Sequence, residues 1–480
     1  MSKKFIRFVA VLTILVSIVG NTGVVRADPV GEKTSAAASA SPATAPWFVG
    51  WADKTTSANV GSYPSIAYSP IDGLPYISYY DATNHHLMLA SPVWNGGSNC
   101  GVGGNWWCRV VDGDGSNGSS TDSVGLYSSI AFWKNPSLGG VWKVGIAYYD
   151  STNKALKYAV YSKALLISGT WSFVTISSGS IFYDPGTYTS LKFNSDGEVR
   201  IAYYAYSSLV NTGYLKLATP VASGGNCGIG TSSGKWQCDT VDSGAGVGKY
   251  AALDLNYDDQ VFLAYYDEGN GNLKYAYYGG IGFCGTENAW ICSTVDSAGI
   301  VGLSAALTAP RSSTDHVRIA YYDKTNGKLK YATPSSGGNC GGGAWQCLNV
   351  DSMGAGIPRA GISMALDKNG NPIIAYMEAS QDQAPSTLKI ARPVDAVGLF
   401  TGNCGDVPPG YLFEVWQCYT VDNAAYGQGN VNVAAYTSVA ISPTTGLGTI
   451  AYFEEDGYNY TTSLKVAYQR LQIFLPLIER

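Results

Sequence analysis

Leu303 to Thr308, Val317-Arg318-Ile319-Ala320-Tyr321-Tyr322-Asp323, Leu329-Lys330-Tyr331-Ala332 and the run from Cys340 through Trp345-Gln346-Cys347 to Val350-Asp351 are four short apolar segments in one stretch of chain. The second is rich in β-branched and aromatic residues, and Gly, Asn, Asp and Ser fall between the segments, which is the pattern of strands separated by turns. We call the four strands a, b, c and d. The pair Asn326-Gly327 predicts a two-residue hairpin between b and c, and Asn270-Gly271 repeats that signal earlier in the chain.

The unit recurs. Its b strand ends as Tyr80-Asp81, Tyr149-Asp150, Tyr204-Ala205, Tyr266-Asp267, Tyr322-Asp323, Met377-Glu378 and Phe453-Glu454. Copies about 62 residues apart, each a four-stranded sheet, are the signature of propeller blades. The seventh copy stops after its c strand, Leu464-Lys465-Val466-Ala467, while Trp47-Phe48-Val49-Gly50-Trp51-Ala52-Asp53 precedes the first a strand with the Trp-to-Asp spacing of Trp345 to Asp351. The sequence therefore predicts an all-β, seven-bladed β-propeller of four-stranded antiparallel blades, closed by its N-terminal strand, over residues 47–470. Closure of this kind removes a sheet edge that would otherwise pair with other chains.

Outside the ring, Lys3, Lys4 and Arg7 precede an apolar run to Gly20 and small residues at Val25-Arg26-Ala27, which reads as a signal peptide over 1–27. Residues 28–46 are Ala-, Ser-, Thr- and Pro-rich and read as a linker, and 471–480 as a C-terminal tail. The expected compartment is the cell exterior, secreted or at the cell surface. The net charge of −5, without a Lys/Arg cluster, excludes the basic footprint that nucleic acid requires. No segment after the leader is long and apolar enough to span a membrane as a helix.

Ten cysteines fall into five close pairs, each within one repeat: Cys100 with Cys108, Cys227 with Cys238, Cys284 with Cys292, Cys340 with Cys347, and Cys404 with Cys418. In an exported chain this spacing predicts disulfides where c turns into d. A zinc reading fails because the pairs sit in different repeats and only His85, His86 and His316 are present to complete a site. The second repeat keeps Trp171 but has no cysteines.

Strands b and d run in the same direction, so their acidic ends emerge on one face. The b ends carry Asp81, Asp150, Asp267, Asp323, Glu378 and Glu454; the d ends carry Asp53, Asp112, Asp242, Asp296, Asp351 and Asp422. Repetition in nearly every blade favours a structural role, with each acid accepting backbone N–H groups of the next turn. Lys157, Lys274 and Lys330, across the b-to-c hairpin, are candidate partners. Asp112-Gly113-Asp114-Gly115-Ser116-Asn117 has acids at calcium-loop spacing, but Asn117 stands in place of the required glycine and Ser123 in place of the bidentate glutamate, so no metal is assigned.

Residues that depart from a repeat are the better candidates for function. Blades 3, 6 and 7 lengthen the b-to-c loop, and the two in blades 6 and 7 concentrate acids and aromatics. The candidate binding residues are Glu378, Gln381, Asp382, Tyr426, Glu454, Glu455, Asp456 and Tyr458. Aromatic rings stack on the apolar face of a sugar, and carboxylates accept its hydroxyl hydrogens. Phe182, Tyr183 and Asp184 lie in another long d-to-a loop.

With Trp placed at each c-to-d turn, as in Asn339-Cys340-Gly341 to Trp345-x-Cys347, the arrangement resembles extracellular bacterial propellers of the sialidase-like and propeller-lectin group. That resemblance implies a glycan partner. It lacks the Asp boxes of sialidases, and Arg109, Arg200, Arg318, Arg359 and Arg392 are scattered rather than forming a triad, so no catalytic residue is carried over.

Two functions stay open on the sequence. One is a non-catalytic propeller, a monomer without cofactor, that binds a glycan or an extracellular protein. The alternative is a sialidase-like glycoside hydrolase using Glu378 and Glu454 as paired carboxylates.

Overall fold

The computed structural model describes residues 46–470, except 55–57, 94–97, 103–104, 139, 164–168, 356–360, 380–385, 398, 400, 408–414, 424–430 and 458–460. The leader, nearly all of the linker and the tail lie outside the described residues.

Seven four-stranded sheets form, each ordered a-b-c-d with antiparallel neighbours. In blade 5 the strands are Val301–Thr308, Arg318–Asp323, Lys328–Pro334 and Trp345–Ser352. Strands b are enclosed on both faces, and every residue of Arg318–Asp323 is buried. This explains why b strands read as unbroken apolar runs instead of alternating. The core therefore lies between blades: Phe262, Leu273 and Val295 of blade 4 pack with Val301, Ile319 and Tyr321 of blade 5.

The closing strand is where the sequence places it. Trp47–Asp53 pairs antiparallel with Thr461–Gln469, Trp47 opposite Gln469 and Gly50 opposite Val466, and so completes the sheet of Val431–Ile441 and Gly448–Asp456.

The hairpin expectation needs correction. Asp323 pairs with Lys328, so the b-to-c turn has four residues, 324–327, and not two. The reason is the acid at the end of strand b. Asp323 accepts both the backbone N–H and the side-chain amide of Asn326, each at 2.9 Å, and only Gly327 takes a positive φ, of 65°. Asp81 with Asn84, Asp150 with Asn153, and Asp267 with Asn270 repeat the clamp.

All five cysteine pairs are disulfides. The asparagine before the first cysteine has a separate job. Asn99 donates to the Cys108 carbonyl and accepts the Cys108 N–H, both at 2.7 Å, and Asn339 and Asn403 do the same for Cys347 and Cys418. The corner also rests on the preceding blade: a Cβ added to Gly341 would lie 3.1 Å from the carbonyl oxygens of Thr294 and Val295.

The second ring of acids joins neighbouring blades. Asp112, ending strand d of blade 1, accepts the Tyr148 hydroxyl from strand b of blade 2 and the Lys157 ammonium from strand c of blade 2, both at 2.6 Å on the same oxygen, Oδ2. Asp242 with Tyr265 and Lys274, Asp296 with Tyr321 and Lys330, Asp351 with Tyr376 and Lys389, and Asp422 with Tyr452 and Lys465 repeat this latch. The lysines thus pair with the d-end acids across the blade seam; Lys330 alone among the three predicted also approaches its own b-end acid, Asp323, at 3.9 Å. Two seams differ. Where blade 7 meets blade 1, Asp53 binds Tyr79 at 2.7 Å, but Met88 holds the lysine position. Where blade 2 meets blade 3, Ser177 holds the aspartate position.

Burial would raise the Asp112 carboxyl, but the Lys157 charge, together with hydrogen bonds from Lys157, Tyr148 and Ser120, outweighs it and holds the group below the usual carboxylate range. Removing one member of such a buried pair leaves the other without compensation. Asp112→Ala is predicted to cost about 3–5 kcal/mol in chemical denaturation, with partial recovery in the double variant Asp112→Ala/Lys157→Met.

At the closing seam the sign reverses. Burial raises the Asp53 carboxyl, the Tyr79 hydrogen bond lowers it in part, and Asp81 raises it further. A folded-state carboxyl held low stabilises above the ordinary carboxylate range and stops doing so as pH falls through its folded value; a raised one stabilises below that range and loses the effect as pH rises through its folded value. Met88→Lys supplies the missing cation. It is predicted to raise unfolding stability at neutral pH by about 1–3 kcal/mol, a gain that disappears below the carboxylate range.

Candidate functional site

The a strands line the centre of the ring, and their first residues carry a bulge. Val60-Gly61-Ser62-Tyr63, Val124-Gly125-Leu126-Tyr127, Pro185-Gly186-Thr187-Tyr188 and Val247-Gly248-Lys249-Tyr250 each break register with strand b. The glycine lets strand a approach strand c of the preceding blade: a Cβ on Gly125, whose φ is 114°, would lie 2.8 Å from the Leu87 Cα. The tyrosine follows with φ of 53° in blades 1, 3 and 4 and 54° in blade 2. Left-handed backbone at a bulky side chain costs on the order of 1–3 kcal/mol and is kept where the surroundings hold it in place.

The result is an arc of tyrosines across five consecutive blades. Ring centroids lie 4.4 Å apart for Tyr436 and Tyr63, 4.5 Å for Tyr63 and Tyr127, 4.8 Å for Tyr127 and Tyr188, and 4.7 Å for Tyr188 and Tyr250. The b-strand aromatics back them, with Tyr149 at 6.4 Å from Tyr127 and Phe453 at 5.8 Å from Tyr436. Each ring of the arc is half-buried. Burial pushes the Tyr127, Tyr188 and Tyr250 hydroxyls up from their ordinary value, so they remain protonated hydrogen-bond donors well above neutral pH.

The arc stops at blades 5 and 6. Ser304 keeps the bulged backbone, with φ of 51°, but has no ring. Gly361 fills the next position, where an added Cβ would meet the Ala434 carbonyl oxygen at 2.3 Å. Between the arc and this gap is a cavity of about 440 Å³, lined by Tyr, Ser, Thr, Ala, Pro, Ile and Gly, with no charged side chain among the described lining residues. A second cleft of about 560 Å³ lies between blades 3 and 4 and includes Tyr204, Tyr206, Asn211 and the ion pair Lys249–Glu268 at 2.7 Å. Tyr204 packs 6.1 Å from Tyr188, so the cleft adjoins the arc.

The predicted site residues distribute otherwise. Glu454 is buried; its carboxylate accepts Trp51 Nε1 at 2.8 Å and lies 3.0 Å from Lys465 Nζ. Burial raises this carboxyl, but the Lys465 charge and the Trp51 hydrogen bond outweigh it and hold it below its ordinary value. That environment suits a permanent anion and opposes a proton donor. Glu378 is partly exposed and lies 3.4 Å from Lys389, the lysine of the blade 5–6 latch, whereas Lys465 belongs to the blade 6–7 latch. Glu455 and Asp456 continue strand b of blade 7 opposite Thr462 and Thr461, half-buried. Gln381, Asp382, Tyr426 and Tyr458 lie outside the described residues. In the loop with calcium-like spacing, Asp114 accepts Ser116 and Ser119, and Asp112 is occupied by the latch and by Ser120.

Sequence reasoning missed the tyrosine arc. Its signal, Gly-x-Tyr at the start of successive a strands, was present, but it repeats, and repetition alone points to scaffold. The information lies in where the repeat loses its ring, at Ser304 and Gly361.

No protein-family model matches the sequence, and no curated protein matches it. Among solved structures the chain is similar to the polysaccharide lyase Uly1, with 12% identity, 85% of this chain and 90% of that chain covered, and a TM-score of 0.41. It is similar also to the WD40 domain of SCAP from fission yeast, with 8% identity, coverage of 89% and 88%, and a TM-score of 0.35. A third is an exo-β-1,3-galactanase from Clostridium thermocellum, with 11% identity, coverage of 72% and 78%, and a TM-score of 0.30.

The bulge glycine is predicted to be intolerant. Gly125→Ala places a methyl group against Leu87 at a positive φ and should lower stability by about 1–3 kcal/mol in thermal or chemical unfolding, an overpacking cost.

Proposed function

We propose that the chain is an extracellular, non-catalytic binding propeller that takes a neutral glycan at the mouth of its central channel. The observation that carries this reading is the uncharged mouth faced by five tyrosines, Tyr436, Tyr63, Tyr127, Tyr188 and Tyr250. Aromatic faces cover the apolar C–H face of a pyranose, and protonated phenols and Ser or Thr hydroxyls pair with its hydroxyl groups. A sialic acid or uronate would have to bury its carboxylate there without a cation, which is unfavourable. The five disulfides support the extracellular placement. Among the described residues no helix is long and apolar enough to cross a membrane. Glu378, Glu455 and Asp456 enter the proposal as a polar rim on the face where strands b end, and Gln381, Asp382, Tyr426 and Tyr458 stay in it as candidates from the sequence alone. Glu454 enters as the residue that anchors that rim to the closing strand.

A glycan array on the purified protein tests this reading, followed by titration of the ligands it returns. Neutral oligosaccharides are expected to bind in preference to sialylated ones. Replacing Tyr127 or Tyr188 by Ala should weaken binding about 3- to 10-fold each, the equivalent of one stacking contact. Ser304→Tyr adds a ring on backbone already shaped for one, and should block the mouth without unfolding the blade. Unchanged affinity in all three variants contradicts the proposed site, and selective capture of acidic glycans contradicts the proposed ligand.

A further inference from the structure

Five of the seven blade seams are chemically identical, and of the two that differ the one between blades 2 and 3 is informative because it lacks the acid and not a donor. In each of the five, one oxygen of an aspartate at the end of strand d receives a tyrosine hydroxyl and a lysine ammonium from the next blade. The register is constant, with the aspartate opposite a leucine of its own strand c: Leu87 with Asp112, Leu215 with Asp242 and Leu273 with Asp296. At the odd seam, Leu156 stands opposite Ser177. The acceptor is gone, but both donors remain. Tyr203 and Lys216 are paired across strands b and c of blade 3, as Tyr148 and Lys157 are in blade 2.

Neither donor hydrogen-bonds a carboxylate, although the charge of Asp239 on strand d of the same blade acts on both. Tyr203 is fully buried, 0% exposed, and its hydroxyl has no hydrogen-bond partner in the protein. Ser177 is close enough to lower the pKa of that hydroxyl as a hydrogen-bonding neighbour, but does not reach full hydrogen-bond geometry with it. Lys216 turns to Thr240 of its own blade at 3.1 Å. The seam therefore keeps a fully buried, unpartnered hydroxyl, and a half-buried lysine at the register position from which the lysines of five other seams reach one anionic oxygen. Leaving such donors unsatisfied is costly.

We propose that the seam between blades 2 and 3 is a binding site for a small monovalent anion, which Tyr203 and Lys216 hold in place of the missing aspartate. The anion needs to present a single acceptor atom, since the tyrosine and lysine of every complete latch meet on one oxygen. A halide or one oxygen of a short carboxylate such as formate meets that requirement. Sulfate and phosphate do not, because their further oxygens would face Leu156 and the buried seam. The site is separate from the channel mouth, and nothing in it depends on the glycan reading.

The test is crystallographic, with sodium bromide and sodium formate soaked separately into the intact protein. An anomalous bromide peak in hydrogen-bonding contact with both Lys216 Nζ and Tyr203 Oη is expected, and formate density at the same place shows that carboxylates share it. In Ser177→Asp the new carboxylate should receive both donors and abolish the peak. The same variant should melt higher than the parent in halide-free buffer and lose the parent's rise in Tm with bromide at constant ionic strength. Lys216→Met should abolish the peak by removing the charge, and it keeps the test available if the aspartate variant does not fold. Absence of both anions at the seam in the parent protein, with only a water between Tyr203 and Ser177, overturns the proposal, as does a peak that persists in either variant.

Discussion

The structure depends on a carboxylate that every blade but the second extends into the next. A propeller blade cannot bury its own faces, and the seam between blades must combine apolar packing with a register that does not slide. Asp112, Asp242, Asp296, Asp351 and Asp422 supply that register. Each is taken out of water only because a tyrosine hydroxyl and a lysine ammonium meet it on the other side. Such a triad adds little net stability over a well-packed apolar seam, but it is severely destabilised by loss of one member, so it specifies which faces meet. Leucine packing and the disulfide corners that rest on the preceding blade then act on faces already aligned.

The central mouth inherits its geometry from the same alignment. Strand a of each blade is pushed against strand c of the one before, and only glycine permits that approach at Gly61 and Gly125. The resulting bulge turns the third residue after each valine, or after proline in blade 3, toward the axis with left-handed backbone. Four tyrosines accept this strain, and a fifth, Tyr436, joins them from a blade where Ala434 takes the positive φ. Blades 5 and 6 decline the ring while keeping the ring of blades intact. An asymmetric mouth in a symmetric scaffold is thereby made by two residues, Ser304 and Gly361.

The fold was legible because its signals are local and repeated: strand-length apolar runs, the displaced Trp47 to Asp53, and paired cysteines within each unit. The length of the b-to-c turn was not, since Asn326-Gly327 reads as a two-residue hairpin until Asp323 is seen to clamp Asn326. The acids were read correctly as structural at the ends of strands b. At the ends of strands d, the partners lie in the next blade, and no local pattern pairs Asp112 with Lys157 across a seam. Glu454 stood out in sequence as an exception to aspartate, yet its longer side chain serves to reach Trp51 of the closing strand. The tyrosine arc was hidden for the opposite reason. It obeys the repeat, and its meaning appears only when seven strands are brought around one axis.

The claim that the tyrosine arc is a ligand site is tested most directly by the crystal structure of the protein soaked with a neutral oligosaccharide that it binds in solution. Density for a sugar ring against Tyr63, Tyr127 or Tyr188, entering beside Ser304 and Gly361, is the predicted result. Density confined to another surface, with the channel mouth holding only water, would contradict the account.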